Sequence, residues 1–254
     1  MQAGESMAVE VWAIWLIGAF LCGSIPFAVI LGKLNGVDIR KLGSGNPGAS
    51  NLGRQVGKKW GICCFVLDVG KGLVPVLAFI GFAINTNINA THAWEAAGYP
   101  KDFEIRGEQN VTLYLQWVLI AVAAVLGHVF SPFLKFRGGK GVATGLGATL
   151  GLFPVVTIPG VLAFVIWYAV CKISGYVGLA SVIAAASLPV TTVIAGLTLK
   201  LSGGEIAVFA SLTGALAALV IVRHRGNLAR IRAGTEPKAA WTGRAKPAAV
   251  SGDE

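Results

Sequence analysis

Gly43-Ser44-Gly45-Asn46-Pro47-Gly48-Ala49-Ser50-Asn51 is the stretch on which the fold turns. Its glycines follow the G-x-G-x-x-G spacing of a dinucleotide-binding turn, which would imply an α/β sheet. The run before it, Asp38-Ile39-Arg40-Lys41-Leu42, is charged rather than strand-like, and no βαβ alternation surrounds it. The loop instead separates two apolar blocks. Glycines 43, 45 and 48 are expected to let backbone N–H groups turn inward around an anion, with Ser44, Asn46 and Asn51 adding neutral hydrogen bonds. Arg54, Lys58 and Lys59 follow at once. The expectation is a phosphate-holding loop between membrane spans.

Composition agrees with spans. The 254 residues are 55% hydrophobic and 13% charged, with a mean hydropathy of +0.70, far from soluble averages. The net charge of +9 lies in short loops between apolar runs, which suits an anionic leaflet or substrate and argues against nucleic acid. Cys22, Cys63, Cys64 and Cys171 sit in apolar surroundings without metal-ligand spacing and read as free thiols; no metal is expected. No Lys or Arg precedes Val11, so the first apolar run lacks a signal peptide's basic start and is expected to remain as a span.

Outward from the loop, Val9 to about Gly32 is a first span, interrupted at Gly23-Ser24-Ile25-Pro26 by a kink or a small-residue packing surface. Trp60 to Ile84 is a second, long enough to cross roughly 30 Å at 1.5 Å per residue. It carries Asp68 and Lys71, which share a helix face and read as a structural ion pair. Residues 85–112 are expected to form an exterior loop with little fixed structure, holding His92. Val111 to Phe133 is a third span, and His128 near its end reads as a hydrogen-bonded packing histidine. Pro154 and Pro159 divide Val142–Cys171 into two short spans, Lys172–Gly178 is an interior loop, and Leu179–Leu199 and Ile206–Val222 complete seven. The fold class is thus an all-α integral membrane protein with seven transmembrane helices, one domain over 9–238, and an Ala/Pro/Gly-rich tail, 239–254, expected to be disordered.

With the N-terminus outside, interior segments hold 17 of the 21 Lys and Arg, and exterior ones 3. The positive-inside rule then places the C-terminus and all three basic segments in the cytoplasm. Those segments are the first loop, Lys135–Gly141 with Gly138, Gly139, Lys140 and Gly141, and Arg223–Glu236 with His224 and Asn227. Arginine grips phosphate bidentately, lysine acts as a point charge, and glycine lets backbone approach. His224, between two arginines, is the best-placed titratable group. Neither glycine loop is a Walker A motif, since Leu52 and Leu134 stand where its first glycine belongs. H-x-x-x-x-D, H-E-x-x-H and G-x-S-x-G patterns are absent, which removes support for a histidine–aspartate acyltransferase dyad, a zincin or a hydrolase elbow.

Three segments, GSIPFAVILGKLNGVDIRKLGSGNPGASNLGR (23–54), GHVFSPFLKFRGGKGVAT (127–144) and RHRGNLARIRAGTEPK (223–238), resemble in order the motifs of the bacterial acyl-phosphate-dependent glycerol-3-phosphate acyltransferases, the PlsY family. The resemblance covers about residues 11–238. It implies a seven-helix enzyme of the bacterial inner membrane with a cytoplasmic site. Acyl would pass from acyl phosphate to the sn-1 hydroxyl of glycerol 3-phosphate, giving lysophosphatidic acid and phosphate without a cofactor. It also implies roles for Ser44, Arg54, Lys140, Ser181, His224 and Asn227, with Glu236 in support. The acceptor's proton is left between His224 and a substrate phosphate, and oligomeric state is left open. Ser50 stands where threonine is usual, Gly226 where a larger polar residue is common, and the 85–112 segment is long. A phosphate or organophosphate transporter is the alternative, suggested by seven spans and the Asp68–Lys71 pair, although nearly all the charge lies on one face.

Overall fold

The computed structural model describes residues 9–96 and 108–239, with side chains described at 10–86 and 111–239. Among them the chain is helical: α1 (Val9–Ser24), α2 (Phe27–Leu34), α3 (Ala49–Gln55), α4 (Lys58–Ala96), α5 (Glu108–Val129), α6 (Val142–Gly151), α7 (Thr157–Ser174), α8 (Val177–Thr198) and α9 (Gly203–Arg232). Among the described residues, six stretches are long and apolar enough to cross a membrane: Glu10–Leu34, Lys58–Thr86, Val111–Leu134, α7, α8 and α9. α6, at 10 residues, is about 15 Å long, half a hydrocarbon core. Of the span in α5, 67% is buried, against 22% in α7, so α5 is the central helix and the others face lipid with residues such as Ile14, Val66 and Val190.

The break between α1 and α2 falls at Ile25-Pro26, where proline removes a helical N–H. Neighbouring segments satisfy the freed carbonyls: Ser131 Oγ, just past α5, donates to Ser24 O at 2.7 Å, and Lys71 Nζ on α4 to Ile25 O at 2.8 Å. Lys71 also pairs with Asp68 at 2.9 Å, and Cys64 Sγ lies 3.6 Å from Asp68 Oδ2. The pair is therefore built into the α2–α4 junction. Close packing acts at the same place, since a Cβ on Gly23 would lie 1.9 Å from Ala124 O and one on Gly127 2.0 Å from Phe20 O. Kink and small-residue surface, read as alternatives, coexist. A second seam joins α4 to α6 through Gly72 and Gly147.

Several boundaries differ from the sequence reading. α4 continues through residues 85–96, where a loop was expected, because neither glycine nor proline occurs between Phe82 and Ala96. The rest of that segment, 97–107, lies outside the described residues, as does the side chain of His92. Pro154 lies in the α6–α7 turn, but Pro159 sits in the first turn of α7, where its missing N–H costs no helical bond. The Lys172–Gly178 loop shrinks to residues 175–176, and Lys172 lies in the last turn of α7. α9 extends ten residues past Val222; at 30 residues it is about 45 Å long and outreaches the hydrocarbon core. The third basic segment is therefore mainly helix. The expected tail is outside the described residues except Ala239, whose N–H donates to Gly175 O at 2.9 Å. All four cysteines are free, with Cys64 and Cys171 buried.

Candidate active site

The first loop is organised by Asn51, which is 1% exposed. Its Nδ2 donates to Ile39 O at 3.2 Å and Leu42 O at 3.0 Å, and its Oδ1 accepts the Ser44 amide at 3.2 Å. The amides of Gly45 and Gly48 bond to Leu42 O and Asn46 O. Gly43 and Gly45 take positive φ, +55° and +67°, as the turn requires. The expected inward cradle of amides is thus replaced by a self-bonded frame that presents side chains. Upstream, Asp38 caps a single 3₁₀ turn over Ile39–Lys41, and the guanidinium of Arg40 at 2.8 Å holds its carboxyl down at about 2.

The second loop is fixed in the same way. Gly138 N donates to Val129 O at 3.0 Å and Gly139 N to His128 O at 3.1 Å, both at the end of α5. Arg223 on α9 donates to the carbonyls of Gly138 and Gly139, each at 3.0 Å. A Cβ at Gly139 would lie 2.1 Å from His128 Nε2, so the imidazole backs this loop directly. His128 packs as expected, but its Nδ1 has no hydrogen-bond partner among the described residues and lies 3.8 Å from Asp68 Oδ1. The loop's backbone is thereby locked, and Lys140 projects from it.

On α9, His224 and Asn227 are three residues apart and share a face. His224 Nδ1 lies 2.8 Å from Val220 O, a contact that assigns the proton to Nδ1 and leaves the lone pair on Nε2 of a neutral ring. Asn227 Nδ2 donates to Glu236 Oε1 at 2.6 Å, which orients Asn227 Oδ1 to accept from Lys140 Nζ. Arg230 Nε fixes the other carboxylate oxygen of Glu236 at 2.7 Å. Burial, together with Arg230, Arg54 and Arg223, pushes Lys140 down to about 8 against the upward pull of Glu236. Burial also lowers Arg54, which stays in the range where guanidinium is always charged.

These groups meet in one cavity of about 1300 Å³, its open mouth included. Ser44, Asn46, Gly48, Asn51, Arg54, Lys140, Gly141, His224, Asn227 and Glu236 line its polar end. An apolar shaft continues from them between α6, α7, α8 and α9, past Leu146, Ala163, Phe164, Trp167, Leu188, Leu216 and Val220. Ser181 lies between the two, its hydroxyl donating to Val177 O at 2.8 Å and accepting from Trp167 Nε1 at 3.2 Å.

The family described as glycerol-3-phosphate acyltransferase matches residues 13–234. The chain belongs to the glycerol-3-phosphate acyltransferase family. It is 39% identical over 224 residues to the glycerol-3-phosphate acyltransferase of Trichlorobacter lovleyi, covering 88% of this chain and 95% of that one. It is 40% identical over 234 residues to that of an Anaeromyxobacter species, covering 91% and 98%. The crystal structure of PlsY, an integral membrane glycerol 3-phosphate acyltransferase in its glycerol 3-phosphate form, is similar with a TM-score of 0.66 and 31% identity. It covers 90% of this chain and 95% of that one. The lysophosphatidic acid form gives a TM-score of 0.64 at 30% identity, with the same coverage.

For this acyltransferase, the residues named from sequence divide into two groups. Eleven of them, from Ser44 to Glu236, reach the cavity, while Gly43, Gly45, Gly138 and Gly139 frame it from behind. Sequence reading overlooked Arg223, which clamps the second loop, and Gly178, where a Cβ would meet Asn227 Cβ at 2.7 Å. Neither had a local signal: one was a basic residue among many, the other an ordinary helix-start glycine. Asp68 and His128 also line the cavity.

Proposed function

We propose that this glycerol-3-phosphate acyltransferase takes its acyl group from acyl phosphate and delivers it to the sn-1 hydroxyl, releasing lysophosphatidic acid and inorganic phosphate. The carrying observation is the cavity itself, a cationic end continuous with a single apolar shaft, which matches one phosphate head and one acyl chain. Acyl phosphate already has a good leaving group, so the protein's task is orientation, which can contribute on the order of 7–11 kcal/mol. Arg54 and Lys140 hold the phosphates and stabilise charge developing on the carbonyl oxygen and the leaving group. Ser44, Asn46 and Asn227 supply neutral hydrogen bonds. The sn-1 oxygen attacks the carbonyl carbon, the bond from that carbon to the phosphate oxygen breaks, and the hydroxyl proton passes to His224 Nε2, the nitrogen left unprotonated by the Val220 contact. Seven helices, with α6 as the short one, would place the N-terminus outside and the site on the cytoplasmic side of a bacterial inner membrane, in keeping with the charge asymmetry.

Purified protein reconstituted in lipid should form lysophosphatidic acid and phosphate from acyl phosphate and glycerol 3-phosphate, and not from acyl-CoA or acyl carrier protein thioesters. Turnover with a thioester alone overturns the donor assignment. His224→Asn should lower kcat on the order of 10²-fold or more. Near-wild-type turnover in that variant would move the proton to a substrate phosphate.

A further inference from the structure

Glycines on α6 have two distinct uses. A Cβ at Gly147 would lie 2.0 Å from Val69 O, and one at Gly151 would lie 2.7 Å from Val76 Cγ1, so both permit the approach of α4. Gly145 is different: it lines the cavity, and a Cβ there would meet nothing within 4 Å. Helix packing does not account for it, and glycine is less favourable than alanine inside a helix. Its structural consequence is open space in the cavity wall.

The height of that space follows from helical repeat. The cavity lining runs from Gly141, which caps α6, through Gly145 and Thr149 on that helix, and on α9 from His224 through Val220 and Leu216, one turn apart in each case. Val142, at the start of α6, packs against Ala217 and Val220, and Gly145 lies one turn, about 6 Å, below Gly141 at the polar end. Anything that runs from the phosphate end down the shaft to Thr149 passes this level.

We propose that Gly145 is the neck of the acyl shaft and determines which acyl chains the enzyme accepts. The proposal rests on the acyltransferase reading above. A side chain at 145 would project into the shaft without displacing protein, leaving room at the polar end for a short acyl group and closing the way to a long one.

The test compares palmitoyl phosphate with butyryl phosphate as donors for wild type, Gly145→Ala and Gly145→Leu, each purified as a monodisperse peak. The ratio of palmitoyl to butyryl turnover should fall stepwise, on the order of tenfold in the alanine variant and 100-fold in the leucine variant, as pocket-filling discrimination allows. An unchanged ratio, or equal loss with both donors, refutes the neck. Binding of long- and short-chain lysophosphatidic acid, followed by tryptophan fluorescence, is measured in parallel. If wild type turns over neither acyl phosphate, the donor assignment fails. The neck is then judged by whether Gly145→Leu selectively loses the long-chain lipid, and equal binding of both lipids refutes it.

Discussion

Two lysines, Lys71 buried on α4 and Lys140 half-buried in the second loop, have different partners. Lys71, with a side chain 3% exposed, is held by a carboxylate at 2.9 Å and a backbone carbonyl at 2.8 Å, above the ring of Phe27. Lys140 contacts the neutral amide oxygen of Asn227, and Glu236 reaches it through that amide rather than as an ion pair. The first arrangement cancels charge locally and ties α4 to the broken first span. The second preserves a positive charge facing a cavity. A lysine matched to a carboxylate acts as a strut, whereas one matched to an amide is available to an anion.

Replacing each lysine with methionine separates these roles. Lys140→Met should reduce kcat/KM on the order of 10²–10³-fold, the loss typical of a preorganised donor to developing charge, while the detergent-solubilised melting temperature stays within a few degrees of wild type. Lys71→Met should do the reverse. It leaves Asp68 buried without its partner, which costs about 3–5 kcal/mol, and the melting temperature should drop sharply while turnover per folded molecule changes little. The double variant Asp68→Asn with Lys71→Met should recover much of that stability. If Lys71→Met instead abolishes turnover at unchanged stability, the strut assignment is wrong and the pair belongs to the chemistry.

The pH dependence gives a smaller test of the same contrast. Lys140 sits at about 8, so its charge is present below that pH and lost above it. The free-enzyme parameter kcat/KM should therefore fall about tenfold per unit at alkaline pH. Lys140→Arg, always charged, should lack this limb even if its absolute rate is low. A limb that survives in the arginine variant belongs to another group.

How far these roles were readable from sequence depends on the range of the interactions. The spans, the break at Pro26 and the three basic segments follow from periodicity, proline and charge, all local. Asp68 and Lys71 were readable as a pair because they are three residues apart. What was not readable lies in the partners. Asn51 looked like a ligand for phosphate, but its amide group is engaged by Ile39, Leu42 and Ser44. Gly138 and Gly139 looked like anion-binding amides, but their N–H groups go to the end of α5. The continuation of α9 through Arg232 was hidden because a polar composition containing Gly226 suggests a loop, although no proline interrupts it and a single glycine is tolerated in a helix.

Glu236 provides the finest cut. Glu236→Gln retains an amide oxygen that Asn227 Nδ2 can donate to, but it removes the charge that fixes Arg230 and raises the pKa of Lys140. Arg230 is 43% exposed on its side chain, so solvent screens part of that interaction and the rate should fall by only about tenfold. The informative readout is the alkaline limb. With the upward pull of Glu236 gone, Lys140 should release its proton at lower pH, and the decline in kcat/KM should begin below about 8. A purely structural carboxylate would lower the amplitude and leave the limb in place. A shifted limb therefore means that Glu236 sets the charge state of Lys140 through Asn227, which is what distinguishes this lysine from Lys71 and its directly bonded aspartate.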